Sequence, residues 1–277
     1  MDYKTILVHL DSGKRTAERV ELALRLAETY DAHLVGQFAL SAPRIPSYAL
    51  AEAGPVVVAA EARFRAEAAR VAEALFQKAT ARLGRSAEWR ATTRDALAAV
   101  QLSARYADLV VAGQRDPEDG SGMTPDFAEE LVLSAGRPVL FVPYAGRFDH
   151  VGRRILVAWN AGREAARAVT DALPLLQRAS VVQVVAFDPR RGGADHGDIP
   201  GADIGLVLAR HGVKVSVEQQ QSDEVDVGNQ ILSRAADLEA DLIVMGAYGH
   251  SRVRELVLGG VTRTLLDTMT VPVSMSH

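Results

Sequence analysis

The 277-residue chain has no cysteine, 48 % hydrophobic and 24 % charged residues, and a formal net charge of -4. Without thiols, disulfides, thiolate catalysis and Cys-built metal centres are excluded, and without a Lys/Arg excess there is no footprint for nucleic acid or an anionic membrane surface. The expectation is a cytoplasmic protein of two domains of about 140 residues, with no membrane partner, since no run approaches the roughly 20 apolar residues that cross a bilayer.

The opening MDYKTILVHLDSGK carries Asp2 and Lys4 beside a short apolar run, so it reads as a first strand and not as a leader. A turn from Asp11 to Gly13 leads into apolar residues at three- and four-residue spacing, the pattern of an amphipathic helix. HLVGQFAL (33 to 40) is a second strand. The stretch from Glu52 to Leu83 is expected to form an extended Ala-rich helix, preceded by a loop with Pro43, Pro46 and the Gly54-Pro55 breaker. On that helix Arg63, Arg65 and Arg70 alternate with Glu61, Glu67 and Glu73, a solvated charged face. SAEWR (86 to 90), YADLVVAG (106 to 113) and RPVLFVP (137 to 143) supply three more strands.

The pattern then repeats. RRILVAWNAGREAARAVTDALPLLQ (153 to 177) matches KTILVHLDSGKRTAERVELALRLAE (4 to 28) in layout, EADLIVMG (239 to 246) matches YADLVVAG, and VPVSMSH (271 to 277) matches RPVLFVP. SVVQVVAF (180 to 187) and VKVSVEQ (213 to 219) complete five strands in the second half, with a Gly- and Asp-rich loop and a short helix (201 to 211) where the first half has its long helix. FVPYAGRFDHVGRR holds the boundary, placed at 147, giving domains 1–147 and 148–277. Strands alternating with helices imply parallel sheets covered on both faces.

In such sheets ligands lie beyond the carboxyl ends of the strands where strand order reverses. For an order 3-2-1-4-5 that point lies between strands 1 and 4, here Ala158, Trp159 and Asn160 facing Met245 and Gly246. From Gly246 runs GAYGHSRVRELVLGG, ending at Gly260. Gly246 and Gly249 permit positive φ or close backbone approach, while Gly259 and Gly260 fall where the next helix begins, with N–H groups and a partial positive charge that favour phosphate. Arg252 and Arg254 are alternative phosphate contacts or ordinary loop charges.

Residues 241 to 262, DLIVMGAYGHSRVRELVLGGVT, resemble the universal stress protein family, whose nucleotide-binding members carry G-x2-G-x9-G-[S/T] after strand 4; Gly246, Gly249 and Gly259 match that spacing. The resemblance covers essentially the whole second half and strands 1, 4 and 5 of the first. It implies an α/β fold of two tandem flavodoxin-like three-layer sandwiches, each with a five-stranded parallel sheet in the order 3-2-1-4-5, packed as an intramolecular pseudo-dimer through their last strands. It also implies an adenine-nucleotide-binding stress-response module that acts on an unknown protein partner. ATP, ADP or AMP, with Mg carried by the phosphates in the case of ATP, would contact Ala158, Trp159, Asn160, the backbone of Ala186, Met245, Gly246, Gly249, His250, Gly259, Gly260 and Val261.

Two positions depart from the pattern. Gly260 stands where the family has Ser or Thr, and Asn160 where it has Asp. In the first half Asp11 is retained, but Gly113 is followed by QRDPEDGSGMTPDFAEELVL, whose Asp116, Glu118 and Asp119 repel phosphate; no nucleotide is expected there.

Other motifs carry less. A P-loop at Gly13-Lys14 would need its first glycine at Val8 and a hydroxyl at Arg15. Asp195, His196 and Asp198 lack the spacing of a metal site. No general base or catalytic triad stands out, so no catalytic residue is assigned and any enzymatic turnover would be at most a slow ATPase. A ligand-free scaffold with decayed sites is the other alternative. Exposed sheet edges leave room for a homodimer.

Overall fold

A computed structural model describes residues 2–41, 47–81, 87–119, 123–189, 199–221, 225–249 and 260–277, the side chains of 47–53 excepted. Chain order is β1 (Thr5–Leu10), α1 (Thr16–Tyr30), β2 (His33–Phe38), α2 (Ser47–Thr80), β3 (Glu88–Ala91), α3 (Ala96–Ala104), β4 (Leu109–Gly113), α4 (Phe127–Ser134) and β5 (Val139–Val142). There follow β6 (Arg154–Trp159), α5 (Arg163–Asp171), α6 (Leu173–Arg178), β7 (Val181–Phe187), α7 (Ala202–Arg210), β8 (Val215–Gln220), α8 (Val227–Asp237), β9 (Leu242–Gly246), α9 (Gly260–Thr268) and β10 (Val273–Ser276).

Each half has the order 3-2-1-4-5, all parallel, and the two sheets merge into a single one: β3-β2-β1-β4-β5-β10-β9-β6-β7-β8. The seam is the antiparallel pairing of the two last strands, with Val273 opposite Phe141 and Met275 opposite Val139. The period of two in the strand sequences explains why both faces are apolar. Along β1, Ile6, Val8 and Leu10 enter one core layer and Leu7 the other; along β9, Leu242 and Val244 oppose Ile243 and Met245. The first layer is closed by α1, α2, α5, α6 and α7, the second by α3, α4, α8 and α9.

The halves are tied beyond the seam. Tyr3 Oη donates to the Asp171 carbonyl at 2.8 Å, and Gln114 Nε2 donates to the Leu266 carbonyl at 3.0 Å. Side chains cap two helices at their start: Asp95 accepts from the Leu97 N–H, and Asp226 from the Gly228 N–H.

Three sequence readings change. The long helix begins before Glu52 and is not broken at Gly54-Pro55; α2 starts at Ser47 and runs through Pro55, which is exposed, so solvent limits the cost of its missing N–H. Arg65 is not on a solvated face: its guanidinium donates to the Leu40 and Ser41 carbonyls at 3.1 and 2.9 Å and pairs with Glu61, fastening α2 to the end of β2. The Arg70–Glu67 pair does lie in solvent. The second half divides the helix after β6 in two, α5 and α6, with Pro174 in the first turn of α6 where a missing N–H is tolerated.

Candidate functional site

β6 and β9 are neighbours, and β6 also pairs with β7, so the carboxyl ends of β6 and β9 frame the point where connections diverge to either side. A cavity of about 150 Å³ opens there. Of the residues named from sequence, Ala158, Trp159, Asn160, Met245, Gly246, Gly249, Gly260 and Val261 line it. Ala186 does not: it is fully buried inside β7, and its neighbour Phe187 faces the cavity instead. His250 and Gly259 lie outside the described residues, as do Arg252, Arg254, Asp195, His196 and Asp198.

Phe187, Val227, Ile231, Tyr248 and Thr262 complete the wall. Val227 and Ile231 are spaced i, i+4 on α8 and read in sequence as an ordinary core-facing stripe; only the topology carries the start of α8 over the crevice. Thr262, in the first turn of α9, accepts the Tyr248 N–H at 3.2 Å and so ties the beginning of the glycine segment to its end.

The backbone has a distinct role for each glycine. A Cβ on Gly246 would fall 2.4 Å from the Ala165 nitrogen and 2.5 Å from the Glu164 carbonyl carbon, so this glycine lets β9 touch the start of α5. Gly246 and Gly249 do not supply the left-handed residue of the turn. Tyr248 does, at φ 57°. Two more non-glycine residues with positive φ stand at the same edge, Ala161 (57°) after β6 and Asp188 (43°) after β7; such conformations cost about 1 kcal/mol or more each and gather where a ligand is held. Asn160 Oδ1 accepts the Gly162 N–H at 3.0 Å, forming the turn that carries Ala161. The Tyr248 hydroxyl is pushed well above its ordinary pKa by burial and by the charge of Glu129. It stays a neutral phenol.

The corresponding crevice of the first half is filled. Arg19 of α1 places Nη2 2.9 Å from Asp11 Oδ2 and donates from Nε to the His9 carbonyl at 2.7 Å. A Cβ on Gly113 would lie 2.0 Å from Arg19 Nη1, so the guanidinium sits against the end of β4. Burial pushes the Asp11 carboxyl up, but the charges of Arg19 and His9 and the hydrogen bonds from Thr16 and Gly13 outweigh it and hold it down at about 2. Asp119, from the acidic segment after β4, accepts the Lys14 N–H at 2.8 Å and closes over the β1–α1 turn.

This arrangement is a doubly wound, flavodoxin-like α/β fold with a cavity at its switch point, the place where ligands settle in sheets of this kind. Residues 152–277 match the model of the Universal stress protein family. A universal stress protein of Synechocystis sp. is 37 % identical over 178 residues, 60 % of this chain and 56 % of the relative, so the chain spans little more than half of that protein's length. The crystal structure of a universal stress protein from Archaeoglobus fulgidus has the same fold across both halves, with a TM-score of 0.67, 15 % identity, and coverage of 98 % of this chain and 95 % of that one. A protein of Pseudomonas aeruginosa of unknown function gives 0.58 at 16 % identity, with 99 % and 92 % coverage. Among the described residues, no helix is long and apolar enough to cross a membrane.

Proposed function

We propose that residues 148–277 form an adenine-nucleotide-binding domain and residues 1–147 a second universal stress protein domain whose own crevice is filled. The observation that carries the reading is the cavity between β6 and β9, whose wall includes both ends of the glycine segment. Phe187, Val227, Ile231 and Met245 offer an apolar surface suited to a purine. Gly246 and Gly249 offer backbone beyond the end of β9, and Gly260 at the start of α9, where a phosphate is favoured. At about 150 Å³ the cavity is smaller than the ~300–1,000 Å³ usual for a ligand pocket.

In this reading ATP, ADP or AMP occupies the second half, and occupancy alters the segment 246–260 and the protein contacts made there. The protein acts as a nucleotide-responsive module in the cytoplasm, and hydrolysis is not its task. Mass spectrometry of small molecules released from denatured, freshly purified protein is expected to detect an adenine nucleotide, and titration is expected to give one site per chain. No released nucleotide together with no response to ATP, ADP or AMP would leave the ligand-free scaffold as the better account. Turnover of ATP above background would favour the slow ATPase instead.

A further inference from the structure

A second cavity, of about 230 Å³, lies where the two halves are joined, between α1 of the first half, α6 of the second and the linker 148–153. Leu22, Leu26, Tyr30 and Phe148 give it an apolar wall, with Tyr30 fixed by its hydroxyl, which donates to the Pro174 carbonyl at 3.2 Å. Arg25 from α1, Arg178 from α6, and Arg153 and His150 from the linker line the same space, against a single lining carboxylate, Asp149. The guanidiniums outnumber the carboxylate three to one.

The protein holds these cations in place without neutralising them. Arg25 is half-buried and donates from Nη2 to the Phe148 carbonyl at 2.6 Å, a bond that takes one of the five N–H donors of its guanidinium. Arg178 Cζ lies 4.9 Å from the centre of the Tyr30 ring, a cation–π contact that steadies the side chain. Asp2 Oδ2 stands 3.7 Å from Arg178 Nη2, beyond hydrogen-bond reach, and both side chains are nearly half exposed, so solvent weakens the pair. Gly152, at φ 89°, turns the linker, and the Asp241 carboxylate accepts the N–H groups of Gly152, Arg153 and Arg154 at 3.0 Å each. That carboxylate is thus spent on the backbone that carries Arg153. Like charges gathered around one cavity repel one another, and an anion placed among them reverses the sign of each interaction. Guanidinium forks match the oxygens of a phosphate or a carboxylate, and the apolar wall asks for a ligand with an apolar body.

We infer that the cavity at the join is a binding site for a small organic anion, its phosphate or carboxylate head held by Arg25, Arg153 and Arg178 and its apolar body laid on Leu22, Leu26 and Phe148. The site is separate from the crevice between β6 and β9 and does not rest on the nucleotide reading. Because its walls come from both halves and the linker, its ligand bridges them. Ligand-detected NMR titration of the full chain with phenyl phosphate and with benzoate tests the inference and tells the two head groups apart; phenol supplies the same body without the charge. At least one of the two anions is expected to bind at this site, one per chain, with a Kd below about 1 mM, and phenol about tenfold more weakly. Arg153→Ala, at an exposed position, and Arg178→Met are each expected to weaken that binding about tenfold. Asp149→Asn removes the opposing charge and is expected to tighten it about two- to threefold. The bound anion is also expected to raise the thermal midpoint of the wild-type chain and to leave that of Arg178→Met unmoved. Anion affinity unchanged in both arginine variants overturns the inference, since the anion then sits elsewhere. So does phenol binding as tightly as the anions, or no binding of either anion. If Arg178→Met does not fold, Arg153→Ala and Asp149→Asn, both on the exposed linker, decide the matter, and equal affinity in the two overturns the inference.

Discussion

The two crevices have one topology and opposite contents. Between β1 and β4 the space at the strand ends holds Arg19, paired with Asp11 and pressed against Gly113. Between β6 and β9 the residue aligned with Arg19 is Ala168 and the one aligned with Asp11 is the uncharged Asn160, no guanidinium lines the crevice among the described residues, and a cavity remains. The left-handed backbone divides in the same way. Ala161, Asp188 and Tyr248 ring the open crevice, whereas among the described residues the non-glycine positive φ of the first half is at Asp31, which, like Glu239 of the second half, follows the end of a helix away from the crevice. One crevice is satisfied from within, and the other holds strain. Shared strand order therefore fixes where a site can be, while a few side chains decide whether it is vacant.

The largest effect is expected from breaking the filled crevice. Arg19→Met strands the ionised Asp11 in a buried position and should cost about 3–5 kcal/mol, read by urea unfolding. Asp11→Asn added to it should recover much of the loss. Nucleotide stoichiometry should stay at one per chain, because Asp116, Glu118 and Asp119 stand where the second half has its glycine segment; two sites per chain would show that the guanidinium alone separates the halves.

Acid should also act on the first half. Burial pushes His9 down to about 4, aided by Arg19 and opposed by Asp11 and the Ala39 carbonyl. The unfolded imidazole binds a proton near pH 6.5 and the folded one only near 4, so stability is intact above pH 6.5 and falls between 6.5 and 4, by about 3 kcal/mol in total. The depressed Asp11 carboxyl contributes its own loss lower down, between about pH 4 and 2. His9→Gln should flatten the upper part of the profile in urea midpoints recorded from pH 8 to 4.

Gly246→Ala presses a methyl into the start of α5 and should cost about 1–3 kcal/mol by overpacking, with loss of nucleotide binding. Thermal unfolding and calorimetry read the two effects separately. Gly260→Ser supplies the hydroxyl that the family pattern has at this position and should improve nucleotide affinity about 3- to 10-fold, the worth of one added hydrogen bond. A Cβ at Gly260 meets nothing within 4 Å, so its effect on folding should be small.

The strands were legible in the sequence because buried parallel strands leave unbroken apolar runs, and the repeat located each run twice; their order and the seam followed only from the family resemblance. Much of the cavity wall was legible for the same reason: strand ends and glycine spacing are one-dimensional signals. Arg19 and Arg65 were not. Each sits in a helix with a charged neighbour at short spacing, and the sequence pattern of a buried ion pair is that of a solvated one. Phe187, Val227 and Ile231 were hidden differently, as ordinary apolar positions whose exposure to a crevice depends on the sheet's edge and not on their own periodicity. Pro55 misled because the rule that proline breaks a helix weakens where the freed carbonyl can meet water.

The antiparallel seam of β5 and β10 has one more consequence. Because it reverses strand direction, the two crevices open toward opposite edges of the continuous sheet, related by a pseudo-two-fold axis through the seam. In a dimer of identical chains every substitution at a crevice is made twice, and plugging one plugs both. Here each crevice is written once, so one can be sealed with an arginine while its counterpart keeps its opening, at a fixed ratio of one to one that no dilution can change.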